Sequence, residues 1–195
     1  VIFCAGDFLR DTDELAKEFE KEIDKRTPRK SFYNCLKNSS HQFFYIPQPG
    51  EKYLLAGYPW FKVRARDQFI ALPGCTLAVG RVDDFEIIID TAIVQIKSVM
   101  AGKPSNGLLK QIEDPDMALW AIWALQQYAK ERPEQFQTKY AAIVIEIIEY
   151  ILNNNHWNLR VDANNSLLYT NGHKRPASWM NAQLDGRPVT PRSGF

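Results

Sequence analysis

Apolar residues along this chain recur mostly at helical spacing, and the places where that spacing fails divide it into segments. Asp11 with Glu14 three residues on forms a capping-box pattern, after which Leu15, Phe19 and Ile23 recur among alternating Lys and Glu. This predicts a solvated linker helix ended by Pro28, and Ser31 to Gln42 predicts a second short helix. Phe43 to Ile46 and Tyr53 to Ala56 are strand-like runs joined by Pro47, Pro49 and Gly50, a hairpin pattern. Four helical patterns follow, over Asp67 to Val79, Asp84 to Met100, Pro115 to Arg132 and Pro133 to Asn153. The last three are apolar around much of their circumference, which predicts that other helices enclose them. The tight junction at Pro133 predicts an antiparallel helical hairpin, ended by Asn153 to Asn155, residues that tolerate a left-handed cap. Val161 to Arg192 reads as a long polar loop with one strand-like run, Leu167 to Thr170, and loops of that length in a compact domain are usually functional. Val1 to Ala5 reads as the last strand of something upstream, and a chain starting at Val1 rather than Met reads as cut.

Charge narrows the partners. Lys plus Arg number 24 against 23 Asp plus Glu, and the formal net charge of +1 carries no basic cluster, so the field that draws nucleic acid or an anionic membrane is missing. The longest apolar stretch, Ala141 to Leu152, is interrupted by Glu146 and Glu149 and falls short of the roughly 20 residues of a membrane span. A neutral substrate is expected, and the five Trp and eight Tyr suit a site that stacks rings against a sugar face. Cys4, Cys35 and Cys75 are odd in number and widely spaced, which supports neither a disulfide framework nor a zinc site. They are expected as small buried hydrophobes in a cytoplasmic protein. His41, His156 and His173 lie far apart, as solvated or locally hydrogen-bonded histidines, and with no phosphate-cradling glycine motif no metal or cofactor is expected.

Three constellations could carry chemistry. In the first, Trp60 precedes Arg66 and Asp67, donors and an acceptor for sugar hydroxyls, or else an N-capping Asp67 beside a structural ion pair. In the second, Asp114 as N-cap and Pro115 at the first helical position place Asp116 in a first turn walled by Met117, Trp120 and Trp123. There Asp116 is either an anion stabilised by the helix dipole or a desolvated acid able to give a proton. In the third, Trp179, Met180 and Asn181 lead into a Pro-rich loop with Arg187 and Arg192, a pocket wall or a well-packed surface loop.

Three segments taken in order, GYPWFKVRARDQFIALPG, DPDMALWAIWALQQY and SWMNAQLDGRPVTPRSGF, resemble the C-terminal amylo-α-1,6-glucosidase part of glycogen debranching enzymes, especially bacterial ones. The first is similar to the family's Pro-Trp-Phe and Gly-Arg-Asp-Thr-Phe-Ile run, the second to its Asp-Ala-x-Leu-Trp-Phe helix, the third to its Thr-Trp-Met-Asp loop ending in Thr-Pro-Arg. The resemblance implies a mainly α fold, the N-terminal portion of an (α/α)6 barrel over residues 28–195, with residues 1–27 linking it to a preceding domain. It implies removal of glucose from α-1,6 branch stubs of glycogen or limit dextrin with inversion. Asp116 would be the general acid, Arg66 and Asp67 would grip the terminal glucose, and Trp60, Trp120 and Trp179 would be pocket aromatics. Asn181 stands where the family has Asp, and Ala65 and Gln68 replace its Gly and Thr. An amide binds a hydroxyl but carries no charge. The general base, a second carboxylate about 6.5–9.5 Å from the acid in inverting enzymes, is expected beyond Phe195. The competing reading is a noncatalytic α-glucan-binding or interaction module of the same fold, motivated by that missing base and by Asn181.

Overall fold

The computed structural model describes residues 11–57, 60–104, 107–174 and 176–190, and the chain divides into two compact units, Val1–Gln42 and Phe43–Phe195. In the first unit, the Asp11 side chain accepts from the backbone N–H of Asp13 and Glu14 and so starts α1 (Thr12–Asp24), in which no residue is buried. Ser31 caps α2 (Phe32–Ser40) in the same way through the Asn34 N–H. Asn38 ties the two segments together by accepting from the Thr27 N–H at 3.0 Å and donating to the Thr27 carbonyl at 2.7 Å.

The second unit opens with an antiparallel sheet of β1 (Phe44–Tyr45), β2 (Tyr53–Gly57) and β3 (Phe61–Val63) in that order. The expected hairpin is there, with Phe44 opposite Leu54, and β3 adds a strand that three residues were too few to announce. The chain then turns into α3 (Ala65–Cys75), which starts after Arg64 and contains Pro73 in its last turn, and a 3-10 turn over Leu77–Val79 follows. Three long elements complete the helical part: α4 (Val82–Met100), α5 (Met117–Glu131), and α6 (Pro133–Lys139) running into α7 (Ala141–Leu152). The single helix expected from Pro133 to Asn153 is broken at Tyr140, whose backbone leaves the helical region and whose buried ring packs edge-on against Tyr128 at 5.3 Å. Asn154 at φ 56° supplies the left-handed residue after α7.

Phe69 and Leu72 of α3, Phe85, Ile88 and Ile89 of α4, Ala121, Leu125 and Tyr128 of α5, and Ile143, Ile147 and Ile151 of α7 form one core. Phe85 stacks on Tyr128 at 5.0 Å, and the Tyr128 hydroxyl donates to Glu86, which also meets Lys139. The expectation that apolar helices are fully enclosed needs correction: Val94 of α4 and Ile145, Ile148 and Leu152 of α7 are exposed on the outer faces. Cys35 and Cys75 are half-buried rather than buried, and Cys4 lies outside the described residues.

The stretch expected as loop is less irregular than its composition implies. β4 (Arg160–Val161) pairs with β5 (Leu168–Tyr169), and β6 (Gln183–Leu184) pairs with β7 (Arg187–Pro188). Asp185 and Gly186 join the second pair with φ of 49° and 74°, the positive angles that a type I′ hairpin demands. Among the described residues no helix is long and apolar enough to cross a membrane.

Candidate active site

Backbone pairing fixes where the acidic turn sits. The Ala65 N–H donates to the Lys110 carbonyl at 2.9 Å and the Lys110 N–H to the Val63 carbonyl at 3.4 Å, joining the start of α3 to the chain that leads into α5. Two successive turns follow, closed by Asp114 N–H to Gln111 C=O and Met117 N–H to Asp114 C=O. Gln111 sits at φ 61°, a strained angle for a residue with a Cβ. From behind, the Glu113 carbonyl accepts from the Trp157 indole at 2.7 Å, and His156 also bonds the Glu113 backbone. His156 is buried, takes the Asn158 N–H on Nδ1 at 3.0 Å and stacks on Trp157; burial pulls its pKa down to about 4.

Arg66, buried in the first turn of α3, reaches across to this turn. Its Nε donates to Asp116 Oδ2 at 2.8 Å and its Nη2 to Asp116 Oδ1 at 2.8 Å, a bidentate pair. The same Nη2 donates to Asp114 Oδ2 at 3.1 Å. Trp120, one helical turn beyond Asp116, gives its indole N–H to Asp116 Oδ2 at 3.2 Å. Both oxygens of Asp116 therefore act as acceptors, in a side chain only 5% exposed. Asp114 differs: its side chain is 21% exposed, and burial, reinforced by the charge of Asp116, raises its pKa against the lowering pull of Arg66.

Asp114 lines a polar cavity of about 400 Å³ together with Gln111, Glu113, Lys174, Asn181, Gln183 and others, within the roughly 300–1,000 Å³ typical of ligand pockets. The β6–β7 hairpin contributes Gln183, and its turn contributes Gly186. A larger hollow of about 600 Å³ between β2 and α4, lined by Tyr53, Asp90, Thr91 and Gln95 among others, contains none of the expected site residues.

The structure thus brings together Arg66, Asp116 and Trp120, and places Asn181 on the cavity that Asp114 lines. Arg66 spends its donors on two acids, and Trp120 on one of them. Asp67 is exposed in the first turn of α3; it does not cap that helix, whose N-cap residue is Arg64. Trp60 and Trp179 are 85% and 65% exposed. The second motif shifts too: α5 begins at Met117, so Asp116 is the flanking residue and Asp114 belongs to the preceding turn instead of capping the helix. Sequence reasoning missed Asp114 as a cavity-facing carboxyl and His156 as a support for its turn. The Asp-Gly pair inside the last loop was a legible hairpin signal that was passed over.

No curated protein and no solved structure gives a match to this chain. The family model described as amylo-alpha-1,6-glucosidase matches residues 34–195, taking in the sheet, every element that carries the Arg66 clamp and the hairpin that walls the cavity. The chain therefore belongs to the amylo-α-1,6-glucosidase family, a family of glycosidases.

Proposed function

We propose that this chain forms part of an inverting glucosidase that releases glucose from α-1,6 branch points of glycogen or limit dextrin in the cytoplasm, its helices belonging to an (α/α)6 barrel. The observation that supports this reading is the pair of carboxyls, Asp114 and Asp116, clamped by one buried arginine beside a polar cavity that Asp114 lines, in a chain of this family. Glycoside cleavage needs a proton donor held beside the leaving oxygen and a second carboxylate on the far side of the sugar to activate water. The acidic turn supplies the first; the second is assigned to a residue beyond Phe195. Asp67 and the amide of Asn181 are proposed to take sugar hydroxyls, and Trp60 and Trp179 to stack on the glucan.

The test is glucose release by the full-length protein from a branched limit dextrin, compared with a linear maltooligosaccharide. Release from the branched substrate alone supports the reading, and release from neither substrate rejects it. A noncatalytic α-glucan-binding module is the second reading, favoured by the uncharged Asn181 on the cavity wall. It predicts Trp fluorescence changes on titration with maltooligosaccharide and no hydrolysis.

A further inference from the structure

Arg66 holds the acidic turn by the side chains of its two acids, and that grip depends on charge. The fork on Asp116 is strongest while Asp116 is an anion, and the same holds for the single bond to Asp114. A proton donor passes between its charged and neutral forms in every cycle. The front grip therefore slackens in the very form that must be aimed at the leaving oxygen. α5 offers no substitute, because its N-cap residue Asp116 makes no side-chain capping bond.

The rear of the turn is held differently. The Glu113 carbonyl accepts from the Trp157 indole at 2.7 Å and from His156. His156 Nδ1 already accepts the Asn158 N–H at 3.0 Å, so the one proton of the neutral ring sits on Nε2 and goes to that carbonyl. Both donors are fixed in turn. The two rings stack at 5.8 Å, and Tyr150 meets the imidazole edge-on at 6.1 Å. Arg160 Nη1 donates to the Asn154 carbonyl at 2.8 Å and also to the His156 carbonyl, while the Asn158 side chain accepts from the Asn171 N–H at 2.8 Å. The oxygen they hold is a backbone oxygen, which does not titrate. Its peptide unit carries the Asp114 N–H that closes on the Gln111 carbonyl. Holding that plane holds the approach to Asp116 in either protonation state.

Resting on the glucosidase reading, with Asp116 as the proton donor that the resemblance implies, we propose that His156 and Trp157 are positioning residues. They form a two-donor clamp on the Glu113 carbonyl that keeps the acid aimed while the charge-dependent hold of Arg66 relaxes.

The experiment uses the full-length protein, a branched oligosaccharide and α-glucosyl fluoride, whose leaving group needs no proton. Trp157→Phe keeps a ring and removes the indole N–H. It is expected to lower kcat on the branched substrate roughly 10–100-fold, with KM and fluoride hydrolysis within a few-fold of wild type. His156→Ala is expected to show the same selective loss, and His156→Gln, which returns an N–H near the place of Nε2, to recover most of it. Retained fluoride hydrolysis shows that each variant is folded. Equal losses on both substrates in Trp157→Phe, unchanged branch hydrolysis in both Trp157→Phe and His156→Ala, or a His156→Gln variant no better than His156→Ala would each overturn the proposal. A wild-type protein inactive on both substrates instead rejects the glucosidase reading itself.

Discussion

Arg66 and Asp116, fifty positions apart, meet through two parallel hydrogen bonds of 2.8 Å with side chains 4% and 5% exposed. One residue comes from the first turn of α3 and the other from the threshold of α5, so the pair fixes two packed helices as well as a site. Removing one partner of a buried pair strands the other charge, which costs far more than the pair contributes when intact. Arg66→Ala should therefore lower unfolding free energy by about 3–5 kcal/mol, read from urea denaturation. Arg66→Lys, which keeps charge but not the fork, should fall between the two.

His156 gives stability a pH dependence. The fold holds its ring neutral, with pKa pulled down to about 4, while the unfolded chain takes up the proton near 6.5. Below pH 6.5 the unfolded state thus binds more protons, and stability should decline as pH falls toward 4, by on the order of 3 kcal/mol. Asp114, raised rather than lowered, works in the opposite direction as it takes up its proton. Thermal unfolding across this range should show a shallower slope in His156→Gln than in the wild type; an identical slope would refute the attribution.

Gly186 stands at φ 74° in the two-residue turn that carries the cavity wall. Gly186→Ala should cost about 1 kcal/mol or more, because a Cβ at positive φ strains the turn. The same variant should weaken oligosaccharide binding more than a control substitution at exposed Val189, measured by Trp fluorescence titration.

Trp179→Ala and Trp60→Ala should leave thermal unfolding almost unchanged, because both rings are largely in solvent. If they stack on glucan, each should weaken maltooligosaccharide binding by about 1 kcal/mol, roughly fivefold. Unaltered affinity in both would remove them from the site.

The helices and the first hairpin were legible because their signals are local: Asp11 caps α1, and the apolar period marks α4, α5 and α7. The break at Tyr140 was not, since it goes with the packing of its ring on Tyr128, a contact invisible to periodicity. For the site, the motifs name Arg66, Asp116 and Trp120, which the fold bonds together, but motif spacing does not tell which of them pair. Arg66 and Asp67 are adjacent in sequence, so both were expected to face one sugar; on a helix neighbours point about 100° apart, and Arg66 went inward while Asp67 stayed exposed. Spacing alone does not separate Asp114 from Asp116, whose side chains are 21% and 5% exposed because the arginine fork faces Asp116 squarely.

The bridge between Arg64 and Lys110 also separates what the chain can vary from what it must keep. Because both ends of the intervening stretch are already pinned there, the connection after α4, around Gly102 and Lys103 at the surface, can change length without moving the acids. An insertion between Lys110 and Asp116, by contrast, would slide the carboxyls past the guanidinium. Length polymorphism across relatives should accordingly cluster on the near side of Lys110 and vanish on the far side, and the first of these is where a reporter peptide could be spliced without silencing the protein.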